Sequence, residues 1–290
     1  MANLPQPAAQ SAPHVFLTEP LSELAAWLRY FCSIEIAVLA ETAEALEALR
    51  AHEDDVDAGT LSEVIRNDPM MTLKLLGYAA TKRKPDAANG TESITSALVM
   101  MGIPPFFRQF GAQPTVEDRL GDQPLALDGL RELLKRAERA ALFALGFAVH
   151  RADMDAGAIQ LAAFLHDFAE MLLWCHAPAL ALKIQEAQRA DSTLRSADIQ
   201  RSVLNIELDD LRQALMQEWR LPELLVRISD GKHAEHPAVR NVVLAVRLAR
   251  HTMLGWDNAA LPDDIDDIAD LLNASPRIAL AFVHKIDQSE

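Results

Sequence analysis

Leu61-Ser-Glu-Val-Ile-Arg-Asn-Asp-Pro-Met-Met-Thr-Leu-Lys-Leu-Leu76 reads as two helical segments with a break between them. Pro69 disfavours the α region at Asp68, so the first helix is predicted to stop near Asn67. Asp68 is then an N-cap for a second helix, and Pro69 suits its first turn, where a missing N–H costs nothing. Thr60-Leu-Ser-Glu63 has the form of a capping box, which predicts that the first helix opens at Thr60. The pair mimics a helix-turn-helix. Its would-be recognition helix, however, carries one basic residue, Lys74, among Met70, Met71, Leu73 and Leu75, which marks a core helix.

Outward from this stretch the apolar period stays helical. Leu21, Leu24, Ala25, Leu28 and Phe31 form one stripe, and Leu39, Ala43, Leu46 and Leu49 a second. Ile94, Ala97, Leu98 and Met101 predict a helix ended by Gly102 and Pro104-Pro105, and Phe106-Phe107 beside them is either core or an interaction corner. Further helices are predicted over 130–150, 159–174, 179–188, 204–219, 222–228 and 239–254, with a last one through Ile268 and Leu272. Residues 1–20 hold four prolines and little periodicity and read as a loose tail. The expected organisation is a single domain over 21–290. It comprises an N-terminal helical half at about 21–110, a connection at 111–129 and a C-terminal half at 130–290, the two packed around a groove.

Composition agrees with an all-α fold. Half of the 290 residues are hydrophobic, Leu and Ala dominate, and glycine is sparse. The formal charge of −15 opposes a nucleic-acid partner, because such binding is driven by Lys and Arg displacing counterions. It also opposes an anionic membrane. The one dense basic run, Lys82-Arg83-Lys84, reads as a solvated turn. The longest apolar run, Ala140 to Val149, is about half of the roughly 20 residues that span a bilayer, and no basic segment precedes an apolar one at the N-terminus. Cys32 and Cys175 lie in apolar patterns outside any CxxC pair, as buried thiols in a reducing compartment do. A cytoplasmic location is the expectation.

Few residues are placed for chemistry. His166-Asp167 can direct an imidazole and a carboxylate at one divalent metal, which would activate water and orient a phosphate ester. The alternative is structural, with His166 hydrogen-bonded in the core and Asp167 paired with a basic group such as Arg136. Cys175-His176 is adjacent in a helix and does not face itself, so a thiolate–imidazole dyad is not expected. Asp263, Asp264, Asp266 and Asp267 follow Pro262 and suit the positive end of a helix. As a calcium loop the run lacks the turn glycine and the glutamate at position twelve. No P-loop, GxGxxG or GxSxG is present.

Four segments together resemble the HDOD domain family, degenerate relatives of the HD phosphohydrolases. They are Leu61–Leu76, Ser93-Ile-Thr-Ser-Ala-Leu-Val-Met-Met-Gly102, Ala163-Phe-Leu-His-Asp-Phe-Ala-Glu-Met-Leu-Leu173 and Trp219-Arg-Leu-Pro222. Their order and spacing agree over roughly residues 25–255. The resemblance implies a helical module of bacterial signalling proteins that is generally without phosphohydrolase activity. Against the HD pattern, the first histidine position falls at Arg136, a later histidine at Leu208, the late His-His pair at Lys232-His233 and the terminal aspartate near Val246. Ala79-Ala80 stands where Asn-Ser is common.

On chemical grounds Arg136 puts a permanent positive charge where a metal would sit, and Leu208 and Val246 ligate nothing. His166 and Asp167 supply two ligands and His233 a third at best, against the three or more that a catalytic metal centre uses. The expectation is therefore an all-α, HDOD-like regulatory or output domain that is not an enzyme. It has no catalytic or cofactor-binding residues, a vestigial metal pair at His166 and Asp167, and Arg136 and His233 as groove neighbours. Its partners are a signalling protein or a small ligand, neither nucleic acid nor membrane, and homo-oligomerisation is left open. The competing reading is a divergent metal-dependent phosphohydrolase of the HD type.

Overall fold

A computed structural model describes residues 15–82, 93–191 and 194–288. Arg83 and Lys84 of the basic run, and residues 1–14 of the expected tail, lie outside them. Among the described residues the fold is all-α, with no strand beyond one isolated parallel bridge between Val38 and Thr115. The described chain forms two compact units, and they are not the two sequential halves. The first comprises residues through Glu132 together with Phe168–Pro222, the second Leu133–Asp167 together with Glu223 onward.

In the first unit the order is α1 (Leu24–Ser33), α2 (Ala40–Arg50), α3 (Ala58–Ile65), α4 (Pro69–Lys82), α5 (Ile94–Met101), α6 (Ile103–Gln109) and α7 (Val116–Leu120), followed by the first turns of α8 (Pro124–His150). The connection expected at 111–129 is thus largely helical. Thr115 caps α7 by accepting from the Asp118 amide at 3.0 Å, and Pro124 opens α8 where its missing N–H is harmless. The second unit carries the rest of α8 and α9 (Ala156–Phe164). The chain then returns to the first unit with α10 (Phe168–His176), α11 (Pro178–Ala190), α12 (Ser196–Leu204) and α13 (Leu208–Glu218). The second unit is completed by α14 (Glu223–Ile228), α15 (Pro237–His251), α16 (Leu261–Leu272) and α17 (Pro276–Asp287).

Several boundaries differ from expectation for local reasons. α3 opens at Ala58, before Thr60, because Asp57 is the N-cap; its carboxylate accepts from the Thr60 amide at 2.8 Å and the Thr60 hydroxyl at 3.0 Å. The true capping box is Ser93 with Ser96 at the start of α5. Gly102, at φ +80°, ends α5, but Pro104 and Pro105 open α6 instead of terminating the pattern. Phe106 and Phe107 on that helix are buried, so the aromatic corner is core. The helix expected over 204–219 is broken at Asn205, which adopts the left-handed conformation at φ 64° and caps α12.

The core of the first unit is built on α4, which buries Met70, Met71, Leu73, Leu75 and Leu76. A helix so enclosed cannot enter a DNA groove. Trp27 donates its indole N–H to the Leu204 carbonyl at 3.0 Å, joining α1 to the end of α12. Gly129 on α8 lies against the indole of Trp174, and an added Cβ would meet its ring carbons at 2.5–2.8 Å. Gly129→Ala gains helix propensity of about 1 kcal/mol but overpacks a buried ring. The expected net result is a loss of about 1–2 kcal/mol, read as a lower urea midpoint at unchanged m-value. In the second unit Phe143, Phe147, Ile159, Val242, Leu248, Ile268 and Val283 are buried together with Asn241, whose amide donates to the Ala144 carbonyl at 3.2 Å. One helical stretch, Ala156–His176, is long and apolar enough to cross a membrane, and 72% of its apolar window is buried inside the protein.

Candidate functional site

The continuous helix predicted over 159–174 is broken at the His166-Asp167 dipeptide. α9 ends at Phe164, Leu165 leaves helical geometry at φ −89° and ψ 2°, and the His166 amide makes a tight turn bond to the Ala163 carbonyl at 3.2 Å. The turn directs the Asp167 carboxylate to α8 and sets the His166 ring beside it. Arg136 lies there and sends two donors to one carboxylate oxygen, with Nε at 3.0 Å and Nη2 at 2.7 Å from Asp167 Oδ2. The other oxygen, Oδ1, accepts from His166 Nδ1 at 2.8 Å, so that nitrogen carries the proton. The Arg136 and Asp167 side chains are 18% and 10% exposed.

Electrostatics follow from this packing. Burial pushes the Asp167 carboxyl up, but Arg136, then His166 with its hydrogen bond, and Arg250 outweigh it and hold the group well below the usual carboxylate range. The structural alternative read from the sequence, an Asp167–Arg136 pair, is what the turn contains.

The remaining positions of the HD pattern have surroundings of their own. His233 lies on the short turn Gly231–His233, exposed, with Glu235 Oε1 at 3.2 Å and Asp230 Oδ2 at 3.7 Å. Val246 is buried in α15 and Leu208 at the start of α13. Among the described residues no three His, Cys, Asp or Glu side chains are grouped to hold a metal ion. A divalent ion at His166 and Asp167 does not fit these residues. One carboxylate oxygen is taken by a guanidinium and the other by an imidazole N–H, and a fixed cation stands beside them.

The acidic run after Pro262 is also engaged. Asp263 and Asp264 sit in the first turn of α16, as the helix dipole favours. Asp264 is buried, lies in an ion pair 2.7 Å from Arg247 Nε and is hydrogen-bonded to His251 Nδ1 at 2.5 Å, while Asp267 pairs with Arg247.

A second polar cluster, in the first unit, was not signalled by any motif. Lys74 Nζ donates to the Ile36 carbonyl at 2.9 Å and to the Gln113 side chain. Arg119 donates to the Glu35 carbonyl at 3.2 Å and to the ring of His176. Cys175, adjacent to that ring, is fully buried and its thiol is pushed up by burial to about 12, so no thiolate forms. Burial pushes the Lys74 amine down to about 8, with Arg119 acting in the same direction against the carboxylates of Glu35 and Asp68. Between about pH 8 and the ordinary lysine value near 10.5 the unfolded chain therefore binds a proton that the folded chain has released. The Lys74 contribution to stability is expected to rise with pH across that window, by on the order of 2 kcal/mol, and then level off, while the raised Cys175 and Cys32 thiols act in the opposite sense above about pH 9. The check is the difference between wild type and Lys74→Met in denaturant titrations at pH 7.5, 9 and 10.5. That difference should change with pH across the window in favour of wild type, and a pH-independent difference would show that Lys74 is not held below its ordinary value.

The chain belongs to the HDOD domain family, whose model matches residues 36–235. Its fold is similar to that of two solved structures. The MmoQ response regulator of Methylococcus capsulatus str. Bath has a TM-score of 0.63 at 17% identity, over 87% of this chain and 98% of that one. A virulence factor of Campylobacter jejuni subsp. jejuni has a TM-score of 0.59 at 15% identity, over 92% and 99%. A comparison with curated proteins finds no match.

Proposed function

We propose that this chain is a non-catalytic signal-transduction domain that works by binding a signalling protein or a small ligand. The observation that carries the reading is the occupation of both Asp167 oxygens, Oδ2 by Arg136 and Oδ1 by His166. Metal-dependent phosphoester hydrolysis needs a carboxylate lone pair on the ion and a bound water beside it. A guanidinium fork removes the first and, being cationic, repels the ion. Membership of the HDOD family and similarity to a protein described as a response regulator support the signalling role. The competing reading, an HD-type phosphohydrolase, would use His166 and Asp167 as ligands.

The test is a phosphomonoesterase and phosphodiesterase assay with p-nitrophenyl and bis-p-nitrophenyl phosphate, each with Mn2+, Fe2+, Ni2+ or Zn2+ added. The expected result is no turnover above buffer. Turnover that disappears in a folded Asp167→Asn variant would establish the enzyme instead.

A further inference from the structure

The enclosed guanidiniums of Arg136, Arg139, Arg212 and Arg247 each meet a carboxylate, of Asp167, Asp287, Asp209 and Asp264 respectively. Lys74 and Arg119, in the first unit, do not. Among the described residues no carboxylate oxygen lies within 4 Å of either charged group. Lys74 donates to the Ile36 carbonyl and the Gln113 amide oxygen, and Arg119 to the Glu35 carbonyl and the His176 ring. All four acceptors are neutral. They satisfy hydrogen-bond geometry but leave two neighbouring positive charges without an anion, which is costly away from bulk water.

The surrounding charges do not remove that cost. Arg119 opposes the Lys74 charge, and the carboxylates of Glu35 and Asp68 favour it only from a distance. Both Asp68 oxygens are already committed to the amides of Leu39, Met70 and Met71. Donors are also left over. An ammonium has three N–H groups and a guanidinium five. Lys74 has two acceptors, and Arg119 Nε has none among the described residues. Neither residue is sealed from solvent. A forked guanidinium beside an ammonium is a donor set that recognises oxyanions, and two positive charges match a dianion.

We propose that Lys74 and Arg119 form a binding site for a small doubly charged oxyanion, a phosphate group being the chemistry it fits. The inference deepens the small-ligand reading above and rests on it, but none of these residues belongs to the HD pattern.

The experiment is isothermal titration calorimetry of full-length wild type, K74M and R119Q with sodium phosphate, sodium sulfate and, at matched ionic strength, sodium chloride. At pH 7 wild type should bind phosphate and sulfate saturably at one site, and its melting temperature should rise with their concentration beyond the chloride control. K74M and R119Q, shown to be folded by circular dichroism, should each bind about tenfold more weakly or worse. Sulfate keeps both charges between pH 7 and pH 9.5, whereas the Lys74 amine, faced by Arg119, Glu35 and Asp68, loses its proton near about 8. Wild-type affinity for sulfate should therefore fall about tenfold or more across that range, and that of K74M should stay flat. Glycerol 3-phosphate separates the sources of the group. Binding at least as tight as inorganic phosphate places it on a small organic ligand, and weaker binding makes the free ion the occupant.

No saturable phosphate or sulfate binding by wild type at about 10 mM would overturn the proposal. Folded K74M and R119Q with wild-type affinity, or chloride bound as tightly as sulfate, would do the same. If neither variant folds, the wild-type pH series decides, and a sulfate affinity constant from pH 7 to pH 9.5 refutes the site. The two readings fail separately. Phosphoester turnover by wild type would end the non-catalytic assignment and leave the oxyanion site standing, whereas absent oxyanion binding would end the site alone.

Discussion

Asp167→Ala is expected to destabilise the protein by about 3–5 kcal/mol, because it leaves a partly buried guanidinium without its carboxylate. Arg136 is 18% exposed and loses both of its bonds to Oδ2, and His166 loses the acceptor of its Nδ1 proton. The second sign of this role is in acid. Asp167 is held well below the usual carboxylate range, so its contribution is complete above about pH 4 and declines as pH falls toward its folded value. Denaturant midpoints measured from pH 5 down to pH 2.5 should therefore fall more steeply in wild type than in Asp167→Ala. A variant within experimental error of wild type at pH 7, with a parallel acid limb, would show that the pair contributes nothing to folding.

Asp68→Ala is expected to cost a similar amount, about 3–5 kcal/mol, for a different reason. Asp68 is fully buried and accepts three backbone N–H groups. Two belong to the first turn of α4, Met70 at 2.8 Å and Met71 at 3.0 Å, both on Oδ1. The third is Leu39, at 2.8 Å on Oδ2, immediately before α2. One carboxylate thus starts α4 and anchors the entry to α2, and alanine would leave three donors without it. Asp68→Asn retains Oδ1 for α4 but turns an amide N–H2 toward Leu39 N–H, so about 1–3 kcal/mol is expected there. Urea denaturation followed by circular dichroism would rank the two variants. Equal losses for Ala and Asn would mean that the Leu39 contact, and not the α4 cap, dominates.

Asp68 shows why this part of the chain was legible. A cap, a proline at the first turn and the leucine spacing are all local, set by the covalent constraints of a few residues. The same holds for most helices of the first unit and for the core character of α4, where Met70, Met71, Leu73, Leu75 and Leu76 crowd around the single early basic residue Lys74 and leave no basic face for a groove. Local signals misled where two competed. Thr60 and Asp57 both suit a cap, and the carboxylate, accepting from the Thr60 amide and hydroxyl together, took the position. Pro104-Pro105 is compatible with the end of one helix or the start of the next, and only the burial of Phe106 and Phe107 beyond it selects the second. α17 went unread, although Pro276 and the apolar Ala279, Phe282, Val283 and Ile286 mark it.

For the site, residue types carried the argument that a cation stands where a metal would. Arg136 is charged at any pH of interest, and Leu208 and Val246 have no ligand atoms. Sequence by itself therefore determined the all-α class and the HDOD resemblance, since these depend on periodicity and on the order and spacing of local motifs. What the tertiary structure decided were contacts between residues far apart in the chain. Arg136 meets Asp167 across 31 positions, α2 receives Glu117 on its Ala40 amide across 77, and Lys74 and Arg119 hold the carbonyls of Ile36 and Glu35. The return of residues 168–222 to the first unit belongs to the same class. Such pairings are selected by burial and by the need of each enclosed polar group for a partner, and both are properties of the packed chain.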